Sequence, residues 1–506
     1  MSTISTTRKS NPYGKVGQVI NELDDRLGLA KGGRTLLDKV FPDHWSFMLG
    51  EIALYSFVVL LVTGIFLTLF YVPSSTLVVY HGAYLPLVGQ KISQAYASSV
   101  DLSFAVRGGL LMRQMHHWSC DIFVGGILVH MARVFFTGAF RKPREGNWTI
   151  GTTLLVLSIA EGFLGYSLPD DLVSGTGIRI AYSIIESVPV VGTYIAFFLF
   201  GGNFPGTVVL GRFFIIHVLL IPLVLLGLVG AHLFMLVQQK HTQFPGKGRT
   251  EKNVVGTPMY PVFMAKTTGF LFIVGGAIAL LGAFAQINPI WQFGFYEPAR
   301  ISYAVQPDFY MGFLDGILRI WPAWQFNAFG HTIPLEVTLP TVVFPLVLFA
   351  LVYAWPAIER KYTGDNELHN LLDRPSFRPK RTAFGVTMFV FLATIFVGSS
   401  TDVIANFFKV SLNTVLVEMR VLTFVLPALA YPITLKICKE MQGFSGAGKR
   451  KTTNIVTRTE EGEYVATPAP VYVDDAHEEL DALPVPTFVV EEDEMLVSTG
   501  VRRAER

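Results

Sequence analysis

Charge is scarce in this sequence. Of its 506 residues 15% are Asp, Glu, Lys or Arg and 51% are hydrophobic, whereas soluble domains run at about a quarter charged. So little polar surface excludes a soluble globular chain of this length and leaves the bilayer as the solvent. Cysteine is almost absent. The two present, Cys120 and Cys438, cannot by themselves complete a zinc site or an iron–sulfur cluster, and neither stands in a CxxCH haem-attachment motif. Any iron–sulfur or c-type centre must therefore belong to another chain. A cleavable signal peptide is not expected either. The residues before the first apolar run are polar and carry Arg8, Lys9, Lys15, Arg26, Lys31, Arg34 and Lys39.

What the sequence does have is apolar runs, eight of them, with cores at about 47–71, 113–137, 149–168, 211–237, 267–286, 337–356, 382–399 and 415–437. Each is close to the ~20 residues a helix needs to cross hydrocarbon. The predicted fold is an all-α membrane protein with eight transmembrane helices. Residues 178–200 and 309–320 are interrupted by Pro or Gly and read as surface helices within loops. Lys and Arg should stay on the cytoplasmic side. They gather in the N-terminal arm, after span two (Arg141, Lys142, Arg144), after span four (Lys240, Lys247, Arg249, Lys252) and after span six (Arg360, Lys361, Arg374, Arg378, Lys380, Arg381). The loop after span one has only Lys91 before Arg107, and the other intervening loops are nearly free of them. Eight spans with both termini in the cytoplasm satisfy every loop. From about residue 445 the chain is basic at Lys449, Arg450 and Lys451, then acidic from Glu460 to Glu494, with several prolines and no apolar period. It reads as a disordered cytoplasmic tail.

The chemistry lies in the histidines. Five of the eleven fall inside spans, where an ionisable group is costly and marks function: His116, His117 and His130 on span two, His217 and His232 on span four. At about 100° per residue, a separation of 14 returns a side chain to within roughly 40° of its start and one of 15 to within roughly 60°. His116 and His130 therefore share a face, as do His217 and His232. His117 lands about 140° from His130 and fails this test. A rise of about 1.5 Å per residue separates the two histidines of each helix by roughly 21–23 Å. Both spans run from outside to inside, which pairs His116 with His217 near the outer face and His130 with His232 near the inner. Two coaxial histidine pairs suit two low-spin haems with no open iron position. Span one has Gly50 and Gly64, and span three Gly151 and Gly165, again 14 apart. Gly50 and Gly151 come level with the inner haem and Gly64 and Gly165 with the outer, where a missing side chain lets a flat macrocycle approach the backbone.

The segments RQMH (Arg113 to His116), HMAR (His130 to Arg133), WTIG (Trp148 to Gly151), GYSLP (Gly165 to Pro169), RFFIIH (Arg212 to His217) and QPDFY (Gln306 to Tyr310) together resemble cytochrome b of the quinol–cytochrome c oxidoreductases, over residues from about 40 to 440. The resemblance implies that Arg113 and Arg133 pair with haem propionates and that Trp148 lies at the cofactor with the four glycines. It also implies that Pro307, Asp308, Phe309 and Tyr310 form the outer quinol site. PDFY stands there where the family has Pro-Glu-Trp-Tyr, so Asp308 replaces the carboxylate that takes the quinol proton and Phe309 the tryptophan, with Tyr310 as the other catalytic candidate. GYSLP runs on into Asp170 and Asp171, where mitochondrial-type chains have Trp-Gly. Met48 stands where some relatives carry a cysteine for a third, covalent haem.

PDFY, KHTQFPG (Lys240 to Gly246) and the charged tail look most like the actinobacterial form. That resemblance implies menaquinol as substrate, a Rieske iron–sulfur protein and a dihaem cytochrome c as partners, a homodimer, an attached cytochrome c oxidase, and residence in a bacterial plasma membrane. No role with nucleic acid is expected. The implied organisation is an arm (1–45), a four-helix dihaem bundle (46–240), a second four-helix membrane domain bearing the quinol loop (241–440) and the tail (441–506). The implied mechanism is a Q-cycle: quinol oxidised outside, one electron leaving through the Rieske protein, the other crossing both haems to quinone at the inner face, with proton translocation. The inner quinone site is less legible. The family's histidine and aspartate fall on Val237 and Thr267, and Glu51, His241 and Lys266 are nearby polar candidates. His44, His81, His331, His369 and His477 read as loop residues. Two other classes remain open on the sequence, a dihaem membrane anchor of a dehydrogenase and a proton-coupled transporter with intramembrane histidines.

Overall fold

Hydrocarbon offers backbone amides no water to pair with, so an apolar run that crosses it must satisfy its N–H and C=O groups within itself. The computed structural model describes residues 37–202, 204, 206–300, 306–328, 330–442, 452–458 and 464–470. Among them eight helices are long and apolar enough to span: Trp45–Thr68, Gly109–Phe136, Glu145–Tyr166, Val209–Gln239, Met259–Phe284, Leu335–Thr363, Pro379–Gly398 and Leu412–Met441. These are spans one to eight, each centred on one of the eight apolar cores. The interrupted segments form helices in loops, Leu172–Glu186 and Gly192–Phe200 after span three, and the turn Phe309–Met311 running into Gly312–Ile320 between spans five and six. Strands among the described residues occur only as four short antiparallel pairs.

The described chain divides into two compact units. The second takes Arg374–Val386 and the chain from Leu429 onward. Within it the Gln442 amide donates to the Ser376 carbonyl, and Thr452–Arg458 pairs with Tyr464–Pro470. The rest of the tail, with the expectation of disorder there, lies outside the described residues, as does the N-terminal arm before residue 37.

The first unit holds both histidine pairs and Asp308. Span one packs along span two, span three along span four, and span five covers spans one and two. Close approach of spans one and two rests on Gly126, where a Cβ would come within 3.3 Å of the Ala53 backbone. Small residues are what allow helices to pack without a hydrophobic drive in lipid. Midway along the bundle Ala53, Phe57, Phe123, Ile127, Leu155 and Leu225 form a buried apolar layer, with the Phe57 and Phe123 rings stacked at 5.3 Å. The loops at one end are stitched by Arg144. Its guanidinium donates to the carbonyls of His369, Gln239 and Lys240 and to the Asn370 side chain, at 2.6 to 3.0 Å.

Span four is not a plain α-helix. Residues Ile216–Leu220, which include His217, form one π turn between α-helical stretches. The cause is local: Pro222 has no N–H to give the carbonyl four residues earlier and its ring crowds that carbonyl, so the preceding turn widens.

Candidate functional site

His116 and His217 face each other with ring centres 6.2 Å apart and planes at 82°. Further along the same two helices, His130 and His232 stand 6.4 Å apart at 74°. Two imidazoles bound to one metal through nitrogens about 2 Å from it would hold their centres roughly 6 Å apart, and both gaps fit. The π turn takes up one residue of the 15 between His217 and His232, so the pair on span four matches the 14-residue pair on span two.

The outward nitrogens of the first pair are tied down. Nδ1 of His116 lies 2.9 Å from the Thr63 hydroxyl, which itself donates to the Val59 carbonyl and so accepts from the imidazole. Nδ1 of His217 lies 2.9 Å from a Glu161 carboxylate oxygen and 3.1 Å from the Glu161 carbonyl. With Nδ1 protonated in both rings, Nε2 keeps its lone pair, the tautomer a metal needs. In the second pair Nδ1 of both His130 and His232 is buried without a hydrogen-bonded side chain, and His232 has only the Asn147 backbone beside it.

Each of the four glycines stands against one of these rings. A Cβ at Gly64 would lie 3.2 Å from His116, at Gly165 2.5 Å from His217, at Gly50 3.1 Å from His130 and at Gly151 3.6 Å from His232. Spans one and three pass close behind the imidazoles, and the bare Cα leaves room for the histidine ring. Arg113 donates to the Asn288 carbonyl at 3.1 Å but keeps Nε and Nη2 buried without partners, and so does Arg133, whose guanidinium lies 4.3 Å over the Phe47 ring. Buried guanidinium donors left unmet are costly, and an anion such as a propionate would satisfy them. Trp148 sends its indole N–H to the Val352 carbonyl of span six at 2.7 Å, one turn before Gly151.

The segment that begins at Gln306 brings a second group to the first pair. Asp308 precedes the turn Phe309–Met311 without capping it by its side chain. One of its oxygens is 2.8 Å from Nε2 of His117 and the other accepts from the Tyr310 hydroxyl at 2.7 Å. Burial pushes the Tyr310 phenol well above its ordinary value, so it stays a donor. Gly162 on span three makes room for it, since a Cβ there would meet the Tyr310 hydroxyl at 2.7 Å. Phe309 packs against the apolar layer, and Pro307 is half-buried beside it. A cavity of about 620 Å³ contains His116, His217, Glu161, Asp308 and Tyr310 on its walls. A second, of about 310 Å³, is lined by His117, Asp121, Tyr166, Gln306 and Asp308. Asp308, His117 and Tyr166 lie on both.

His117, Asp121, Glu161 and Gly162 are not picked out by the 14-residue spacing. A signal for three of them is nonetheless in the sequence, an ionisable residue inside an apolar span. His117 points some 140° from the paired face, and that direction is where Asp308 sits. Asp171 is fully buried and caps the helix Leu172–Glu186, accepting from Val173 N at 3.1 Å. Burial raises it to about 6. Its neighbour Asp170 is raised to about 7, again by burial, and adopts a left-handed φ of 56° that Asp tolerates better than most residues.

At the other end of the bundle Glu51 accepts from Tyr55 at 3.2 Å and from Thr267 at 2.9 Å. Lys266 is exposed and pairs with Asp43 at 2.9 Å. Val237 offers its carbonyl to Lys39. His241 is buried against Phe41, ring centres 4.3 Å apart, and burial lowers it to about 4. Among the loop histidines, His44 caps a short turn, His81 is exposed and His369 pairs with Asp365 at 2.9 Å. The side chains of His331 and His477 lie outside the described residues.

The profile of the family described as "Cytochrome b(N-terminal)/b6/petB" matches residues 121–294. The chain is 49% identical to the "Cytochrome bc1 complex cytochrome b subunit" of Streptomyces coelicolor over 94% of its own length and 87% of that protein. The proteins of the same description from Corynebacterium diphtheriae and Mycobacterium tuberculosis are 50% and 47% identical, over 85% and 91% of this chain and 79% and 85% of theirs. Among solved structures, a chain titled "Hyperthermophilic respiratory Complex III" superposes with a TM-score of 0.60 at 20% identity, covering 83% of this chain and 99% of that one. That likeness is one of fold.

Proposed function

The chain belongs to the cytochrome b subunits of cytochrome bc1 complexes, and from that premise we propose that His116 with His217 and His130 with His232 hold two haem b groups, and that Asp308 and Tyr310 serve the outer quinol site. A subunit of this family is the multi-pass membrane core of a quinol–cytochrome c oxidoreductase, carries haem b and works with an iron–sulfur protein and a cytochrome c. The observation that carries the finer reading is the facing of two histidine pairs at 6.2 and 6.4 Å. Arg113 and Arg133, with donors unmet, would take the propionates. The glycines at 50, 64, 151 and 165 would leave room for the ligand rings and the cofactor between them, and Trp148 fixes span three to span six. Bound between such pairs, haem supplies reversible one-electron uptake with no open position for oxygen.

The remaining steps belong to this chain's own side chains. The larger cavity, walled by His116, His217, Gly64 and Gly165, is the space the first haem would fill, and a quinol in the 310 Å³ cavity beside it meets the Asp308 carboxylate, which takes its proton as general base. Tyr310 donates to the other oxygen and holds the carboxylate in place. His117, 2.8 Å from Asp308 and on the walls of both cavities, is placed to receive the proton and free Asp308 for the next turnover. The basic loops after spans two, four and six support both termini in the cytoplasm of a bacterium and this site on the outside of its plasma membrane. Resemblance to the actinobacterial form supports menaquinol, a dihaem cytochrome c, a homodimer and an attached oxidase. Residues 46–240 would then be the dihaem bundle and 241–440 the domain bearing the quinol loop.

Haem extraction from the purified complex tests the cofactor assignment. Two non-covalent protohaems per chain are expected, since Met48 offers no thiol from which a thioether bond to haem could form. A covalently haem-stained band for this chain after denaturation, or the absence of reducible b-type bands, would overturn it. His117→Ala separates the proton route from haem binding: both haems should remain while quinol oxidation falls about tenfold or more. Unchanged turnover would remove His117 from the route.

A further inference from the structure

Glu161 is a carboxylate inside an apolar span, and the proton route through Asp308 and His117 gives it no work. Its Oε1 lies 2.9 Å from Nδ1 of His217, with both side chains about 15% exposed. Its Oε2 is buried without a hydrogen-bond partner. None of the other three histidines has such a neighbour. His116 faces a neutral hydroxyl, Thr63, and Nδ1 of His130 and of His232 meets no carboxylate. The two pairs are alike in spacing and unlike in charge.

We propose that Glu161 lowers the reduction potential of the haem held by His116 and His217 through a charge-assisted hydrogen bond to His217. The proposal rests on the reading of these four residues as haem ligands. A carboxylate on the outer N–H of a ligand imidazole strengthens the hydrogen bond, raises the basicity of the coordinating nitrogen and orients the ring. More electron density at the nitrogen, and a negative charge a few ångströms from the iron in a low-dielectric interior, favour the oxidised form. The His217 N–H supports the charge on the Glu161 carboxylate, which burial by itself would disfavour. The effect falls mainly on one pair because the other lies roughly 21 Å further along the bundle, by the 14-residue spacing. Glu161 acts through His217 and is a positioning residue, with no contact to quinol required of it.

The test is a potentiometric titration of the whole complex in mild detergent, following the two b-haem bands separately in the wild type and in Glu161→Gln. The amide keeps the size and an acceptor oxygen and removes the charge. The first-pair haem is expected to become easier to reduce by at least tenfold in its equilibrium constant, about 59 mV for a one-electron couple, while the second stays where it was and both remain low-spin. Glu161→Asp, which keeps the charge one methylene further back, should lie between. An unshifted first-pair haem in the Gln variant overturns the proposal, and so does an equal shift of both haems, which would reflect a general field. Loss of the first-pair haem from the Gln variant also overturns it, since Glu161 would then hold the ligand rather than tune it. Failure of the underlying haem assignment looks different, because the wild type would then lack two titrating b-type bands.

Discussion

Replacing Asp308 with asparagine is expected to lower quinol oxidation at least tenfold while leaving both haems in place and reducible from the inner side. General-base catalysis is worth about 10²–10⁴ in rate, and asparagine keeps the size of the side chain while removing the charge that accepts the proton. The alternative for an aspartate at this position is a helix cap, a role asparagine fills equally well. The structure weighs against it: the side chain makes no cap hydrogen bond, and its two oxygens go to His117 at 2.8 Å and Tyr310 at 2.7 Å. Steady-state cytochrome c reduction by quinol, with the haem spectrum recorded alongside, is the measurement. Near-normal turnover in the variant would move the acceptor elsewhere. Asp170, raised to about 7 by burial, would be next to test, since Asp171 is engaged as a cap.

The other large effect concerns the ligands. Substituting any one of His116, His217, His130 or His232 with a residue that cannot bind iron should take the haem count per chain from about two to about one, because a bis-histidine site has no spare ligand. Pyridine haemochrome analysis reads this directly, and the two band positions tell which haem has gone. His117→Ala should keep both. Two haems retained in His116→Ala with one lost in His117→Ala would overturn the facing of spans two and four as drawn from their rings.

Spans and pairs are legible in the sequence because both arise from periodicity. Twenty apolar residues in a row dictate a helix in lipid, and the 14-residue recurrence of His116 and His130 fixes a shared face whatever else the chain does. The quinol end is legible only in part. PDFY marks Asp308 and Tyr310 by resemblance, but no local pattern says that a residue near 308 returns to span two beside His117, 191 residues away in sequence. The same holds for Gly162, whose lack of a side chain matters only because Tyr310 comes to rest on it. Glu161 stands in view as a charge in an apolar run, yet its partner can be named only once spans three and four are set side by side. The glycines illustrate a third case. Their spacing places them at the depth of the histidines, while the object each one faces depends on how spans one and three pass behind the rings.

The widened turn at Ile216–Leu220 bears on how chains of this family are compared. A turn that closes on the fifth residue instead of the fourth stores one residue without lengthening the helix or rotating the stretch beyond it. Histidine spacings of 14 and 15 on this helix are then two spellings of one geometry, and an alignment that forces them into register without a gap will misplace every residue between the ligands. The gap belongs inside that turn, just before Pro222. Removing one residue there should still deliver His217 and His232 to the same two levels, whereas a deletion anywhere else between them would swing one ligand about 100° out of its pair.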